Sequence, residues 1–210
     1  MTEGEWLNDT HPTPMLEYLE DRGNQRKKRL FSCACCRRAW HLIHDERLRH
    51  AIDMVELAID DAVTMDKRKA AGKAANLAYE ELPNPSHSPE GEAGFGVYLT
   101  VNYPHNSLGV ARAIENALNS MDECRWQAKA LHDIFGNPFR PIHLNPSWLT
   151  STVHCLVSGI YSEKAFDRMP ILADALQDAG CDNAEVLNHC RQPGEHVRGC
   201  WVVDLLMGTQ

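Results

Sequence analysis

The sequence predicts an all-α fold, an irregular bundle of about nine helices forming a single compact unit. Two observations carry this expectation. Apolar residues recur at mixed three- and four-residue steps through most of the chain. Proline, glycine, asparagine and aspartate then fall where helices start and stop. The segment with the most strand-like composition, Phe95 to Tyr103, would have no partner strand and is read as a short helix or an extended connection.

The elements follow in order. Thr13-Pro14 reads as an N-cap with proline at the first helical position, and Gly23 as the close of that helix. A second helix is predicted from Gln25 to His44, carrying Leu30, Phe31, Trp40, Leu42 and Ile43. Asp45 caps a third, with Leu48, Ile52, Val55, Leu57, Ile59 and Val63 on its apolar positions. An alanine-rich fourth covers Asp66 to Leu82. Prolines, glycines and serines make Pro83–Gly94 the clearest loop.

A long helix is expected from Asn106 or Ser107 to Gly136, ended by Asn137-Pro138-Phe139-Arg140-Pro141. Asn145-Pro146 restarts a helix through Trp148, Leu149, Val153, Leu156, Val157 and Ile160, and a short piece surrounds Ala165. Pro170 opens the next, which ends at Gly180. Asp182 with Glu185 resembles a capping box for Asn183–Arg191. Pro193-Gly194 makes a turn, and a last helix is expected from Val197 to Met207. The whole of 1–210 is expected to be one helical domain, with a possible division into N-terminal helices 1–82, a loop or insert 83–105, and a C-terminal helical half 106–210.

Composition narrows the function classes. The chain has 210 residues, 43% hydrophobic and 24% charged, enough for a core without staples. A net charge of -8 disfavours general binding to nucleic acid or anionic lipid. No apolar run approaches the roughly 20 residues of a membrane span. The start, Met1 to Asp9, is acidic and polar and does not read as a secretory signal, so a cytoplasmic setting is expected. In a reducing compartment, eight cysteines read first as buried thiols.

Several groups have chemical potential. Cys33 and Cys36, in Cys33-Ala34-Cys35-Cys36, lie one helical turn apart and are weak metal-ligand candidates. His44 would stand about 12 Å further along the helix, too far to share an ion, and His41 points elsewhere. The bland reading places these thiols in the core beside Phe31 and Trp40. A second group is Cys181, His189, Cys190, His196 and Cys200, whose spacing matches no zinc module. His189 and His196 bracket the Pro193-Gly194 turn, which can bring them together; Cys181 and His189 are further weak ligand candidates.

His196, Cys200 and Asp204 fall at four-residue steps, the spacing of a base, a thiol and an acid along one helix face. The basic run Arg26-Lys27-Lys28-Arg29, extended by Arg37 and Arg38, reads as a solvated face, with phosphate binding the alternative. Asn137–Pro141 reads as a rigid turn with Phe139 tucked inward, leaving Arg140 to pair with Asp167, Asp174 or Asp178. No glycine-rich phosphate loop, HExxH or GxSxG sequence occurs.

Two stretches carry a resemblance. One runs from Thr2-Glu3-Gly4-Glu5-Trp6-Leu7 through Arg29-Leu30-Phe31-Ser32-Cys33-Ala34-Cys35-Cys36-Arg37-Arg38-Ala39-Trp40-His41-Leu42. The other runs from Asp133-Ile134-Phe135-Gly136-Asn137-Pro138-Phe139-Arg140-Pro141 to His196-Val197-Arg198-Gly199-Cys200-Trp201-Val202-Val203-Asp204-Leu205-Leu206. They resemble a family of uncharacterised helical proteins associated with planctomycete bacteria. Members of that family are alanine-rich in the middle, where this chain has the Pro83–Gly94 loop. The resemblance implies a helical, bacterial, intracellular protein and carries no activity with it.

Three functions are weighed. The first is a non-enzymatic interaction or adaptor domain that docks an unknown protein partner through Arg140, His196 and Arg198, with Trp201 in the core. The second is a metal- or redox-responsive regulator using Cys33, Cys36 and the C-terminal Cys/His set. The third is an enzyme with a polar pocket around Arg140, Asp167, Arg168 and His196. No cofactor and no catalytic residue is assigned.

Overall fold

The computed structural model describes residues 1–22, 24–60, 62–85 and 87–209. Among these residues the chain forms twelve α-helices and three short 3₁₀ turns, and no strand. The all-α class holds, and the expected nine helices undercount it. None of the described helices is long and apolar enough to cross a membrane. Contacts divide the chain into two units, Met1–His132 and Asp133–Gln210.

The first unit opens with α1 (Glu3–Asn8), which the polar start concealed. Thr2 and Glu5 form a reciprocal capping box that satisfies the first free backbone N–H groups, and Trp6 is fully buried. Next is α2 (Pro12–Leu19), which begins two residues earlier than Thr13-Pro14 suggested, because His11 serves as its N-cap. Gly23, expected to close this helix, lies outside the described residues. Helix α3 (Gln25–Arg38) is capped by Asn24 and stops short of His44. A 3₁₀ turn (Trp40–Leu42) follows. Asp45 caps α4 (Glu46–Ile59) as expected, and α5 (Met65–Glu80) is the alanine-rich helix.

The main correction concerns the expected loop at 83–94, while the short helix expected as one alternative for 95–103 is present as the continuation of a helix that begins within that loop. Helix α6 (Pro89–Asn102) starts inside the expected loop, with Ser88 as N-cap and Pro89 in the first turn. Its glycines permit close packing. A Cβ on Gly94 would stand 2.6 Å from Leu82 Cδ1, and one on Gly96 2.9 Å from Ile114 Cδ1. Helix α6 packs on α3, α4, α5 and α7 (Ser107–Leu118), which places it inside this unit. The expected long helix 106–136 is broken by Asn119 in the left-handed region, φ 44°, before α8 (Met121–Phe135).

The second unit begins in the last turn of α8 and continues through Gly136, φ 63°, into the Asn137 turn. The Phe139 N–H donates to Asn137 Oδ1 at 3.0 Å, an Asx turn where a rigid turn was expected, and Phe139 is half-buried rather than tucked into the core. After a 3₁₀ turn (Pro146–Trp148), Thr150 caps α9 (Ser151–Glu163). A further 3₁₀ turn (Phe166–Arg168) leads into α10 (Met169–Asp178). Helix α11 (Ala184–Arg191) is capped by Asn183, which accepts from the Glu185 and Val186 N–H groups, so the cap is not Asp182.

Helix α12 (Trp201–Met207) starts four residues later than expected, because Gly199 at φ 95° interrupts any helix from Val197. The core of this unit includes Val153, Val157, Ile160, Leu172, Leu176, Val186, Cys190, Cys200 and most of α12.

Candidate metal centre

Four side chains of the second unit converge. Asp133 comes from the last turn of α8, His189 from α11, His196 from the irregular 192–199 connection, and Cys200 from the residue before α12. One ligand atom from each lies within 4.8 Å of all the others. His196 Nδ1 stands 2.6 Å and His189 Nε2 3.0 Å from the same oxygen, Asp133 Oδ1. Cys200 Sγ is 3.2 Å from His189 Nε2 and 3.8 Å from His196 Nδ1.

The surrounding structure holds these groups in place. The other carboxylate oxygen, Asp133 Oδ2, accepts the Val197 N–H at 2.8 Å, so it anchors the loop that carries His196. The second ring nitrogen of His189, Nδ1, faces the Gln192 side-chain amide at 3.1 Å. The two imidazoles meet edge to face, centroids 5.0 Å apart, and the Trp201 indole lies 5.1 Å from His189. Trp201 also fills the space beside Gly136, where an added Cβ would be 3.1 Å from Trp201 Cγ. The side chains of Asp133, His189 and His196 are only 4%, 9% and 5% exposed, and Cys200 is fully buried.

The electrostatics follow from this packing. Burial by itself pushes the Asp133 carboxyl upward, but hydrogen bonds from His189 and His196, and their charges, hold it below its ordinary value. Burial and the nearby Asp133 charge push the Cys200 thiol well above its ordinary value, against the backbone N–H groups of Val203 and Val202. The thiol is therefore protonated at neutral pH unless a cation replaces the proton.

Convergence separates a metal site from a catalytic relay. In a relay the acid binds the imidazole nitrogen remote from the nucleophile. Here His189 Nε2 faces both Asp133 and Cys200, and so does His196 Nδ1. A tetrahedral zinc site with bonds of about 2.0–2.3 Å puts neighbouring ligand atoms about 3.3–3.6 Å apart. The close pairs here, at 2.6, 3.0, 3.2 and 3.8 Å, bracket that spacing. With two neutral imidazoles, a carboxylate and a thiolate, the set carries two negative charges and neutralises a divalent cation.

The residues singled out in the sequence fall as follows. His189 and His196 come together across the Pro193-Gly194 turn, and Cys200 joins them. Cys181 is a buried core thiol outside the cluster. Cys33 and Cys36 are fully buried in the first unit and belong to none of the ligand groups among the described residues. Burial pushes Cys36 up to about 12, and its sulfur lies 3.4 Å from Thr100 Oγ1. The His196–Cys200–Asp204 line is corrected, because Asp204 instead accepts the Thr209 hydroxyl at 3.2 Å and the acid facing His196 is Asp133.

His196, expected as a polar contact, is turned inward with its side chain 5% exposed. Arg140 is exposed, and Arg198 packs over the Tyr161 ring at 5.0 Å. Asp174 pairs with Arg191 at 2.7 Å, and Arg168 with Glu163 at 2.9 Å. Arg168 borders a shallow depression with Ser151, Thr152, Cys155 and Gly159, and the expected pocket companions Arg140, Asp167 and His196 do not line it. The basic run is drawn into internal contacts: Arg26 faces Asp60 at 3.7 Å, Lys28 donates to the Glu20 carbonyl, and Arg37 binds Asp53 and Glu56.

Asp133 was missed. Its one signal was position, since a carboxylate in the last turn of a helix opposes the helix dipole and calls for a compensating partner. Comparison with protein-family models, curated proteins and solved structures returned no match.

Proposed function

We propose that the second unit is a metal-binding helical module that takes one divalent transition-metal ion, with zinc the best fit, on Asp133, His189, His196 and Cys200. The observation that carries this reading is the convergence of four ligand atoms of three chemical kinds, from four separate segments, within 4.8 Å. Mixed nitrogen and sulfur donors select zinc over magnesium or calcium, which prefer oxygen. Four protein ligands close the coordination shell, and the buried sulfur gives a substrate no approach. An ion held there is therefore structural rather than catalytic. It ties the 192–199 connection to α8, α11 and the start of α12, and so fixes the surface the module presents to a partner.

Asp133, His196 and Cys200 all fall within the stretches that resemble the planctomycete-associated family. The test is elemental analysis of protein purified without chelator, together with cobalt substitution. Stoichiometric metal in the wild type, lost in Cys200→Ser and His189→Ala, supports the reading. A metal-free wild type that takes up no cobalt at equimolar addition refutes it.

A further inference from the structure

The first unit holds a second cluster of unlike ligands. One ligand atom each from His11, Glu115 and Cys124 lies within 4.8 Å of the other two. Three elements supply them: the N-cap of α2, the last turn of α7 and the first turn of α8. The left-handed Asn119 folds α7 back on α8, so Glu115 and Cys124 meet across the turn, and the Cys124 thiol donates to Glu115 Oε1 at 3.0 Å. Helix α2 packs against α7 and brings His11 to the pair.

Two features set this cluster apart from an ordinary polar contact. Histidine is an unusual N-cap, a place normally taken by Ser, Thr, Asp or Asn. His11 is nonetheless fixed there, its N–H donating to Asp9 Oδ1 at 2.8 Å and its Nδ1 accepting the Thr13 N–H at 3.4 Å. The cluster is also graded in exposure: Cys124 is buried, Glu115 half-buried and His11 exposed. A sulfur at the base, a carboxylate on the wall and an imidazole at the rim leave the outward side open to solvent.

We propose that His11, Glu115 and Cys124 form a second metal site, open to solvent, for an exchangeable divalent transition-metal ion such as zinc or cobalt. A thiolate and a carboxylate supply two negative charges and the imidazole a neutral nitrogen, the same charge balance as the Asp133 cluster. Three protein ligands with an open fourth position make an ion that water or an added ligand reaches, in contrast to the closed site. The proposal stands independently of the site in the second unit, because the two share no residue.

The test is cobalt titration of the full chain, read by the thiolate-to-cobalt charge-transfer band and by bound metal per chain after desalting at fixed free cobalt. The Asp133→Ala/Cys200→Ser protein is expected to keep one ion, and adding Cys124→Ser is expected to remove it. His11→Ala, at an exposed position, should remove or weaken the same ion with the helical circular dichroism unchanged. Imidazole or cyanide should shift the cobalt spectrum of this ion and leave that of the closed site unaltered. If the Asp133→Ala/Cys200→Ser protein binds no cobalt while the wild type binds one ion, the second site is overturned and the first stands. If Cys124→Ser and His11→Ala leave the cobalt stoichiometry of that double variant unchanged, the assignment to this cluster is likewise overturned.

Discussion

His196 Nδ1 stands 2.6 Å from Asp133 Oδ1, although 63 positions separate the two residues in the chain. The same carboxylate receives the Val197 N–H on its other oxygen and His189 Nε2 beside His196. One acid thus organises both imidazoles and the loop between them, and Cys200 completes the set.

Removal of a ligand should cost more than removal of its support. Asp133→Ala, His189→Ala, His196→Ala and Cys200→Ser are each expected to lower zinc affinity by more than about 100-fold. Gln192→Ala removes only the group facing His189 Nδ1 and should cost about 10-fold. Competition against a chromophoric chelator measures both. Equal losses for Gln192 and the ligands would contradict the assignment of roles.

Metal removal should destabilise the second unit selectively. An ion held at about 1,000 times its dissociation constant adds about 4 kcal/mol to the folded state. Chelator should therefore lower the thermal transition reported by Trp201, which packs on His189. Trp148 also lies in this unit and Trp6, Trp40 and Trp126 in the other, so difference fluorescence against Trp201→Phe isolates the signal.

Acid should weaken metal binding. The Cys200 thiol is pushed up by burial, so the ion must displace its proton, and affinity rises with pH. In metal-free protein the Asp133 carboxyl is held below its unfolded value of about 3.9. Its contribution to stability is complete above that value and is lost as pH falls through the lower, folded value. Calorimetry in buffers of different ionisation enthalpy should detect proton release on zinc binding. No proton release at neutral pH would contradict coordination by the thiol.

Gly136→Ala should be unusually costly for a glycine at a helix end. Its φ of 63° strains an L residue, and the new Cβ would press within 3.1–3.3 Å of the Trp201 ring. Backbone strain and crowding together are expected to cost about 2 kcal/mol or more. Chemical denaturation followed at the second unit gives the value.

The cysteines of α3 should prove structural. Cys33→Ser buries a hydroxyl at a fully enclosed site and is expected to cost about 1–3 kcal/mol, with metal content unchanged. A loss of bound metal from Cys33→Ser or Cys36→Ser in folded protein would restore these thiols as ligands.

The all-α class, the cap at Asp45 and the break at Asn137–Pro141 were legible in the sequence, because apolar periodicity and local breakers act within a few residues, whereas Asn145-Pro146 opens only a 3₁₀ turn and the helix expected there starts at Ser151 behind Thr150. The sequence misread Pro89–Gly94 as loop, where glycines that usually mark loops instead let helices approach closely. It also continued the last helix back to Val197, because one left-handed glycine is decided by where the chain must go next. His189, His196 and Cys200 were legible as a suggestive set, since all three lie within twelve positions, 189 to 200. Only the tertiary structure supplied Asp133 and made the set a site. Ligand convergence depends on where the end of α8 packs against a loop 63 residues later, and no local pattern encodes that distance.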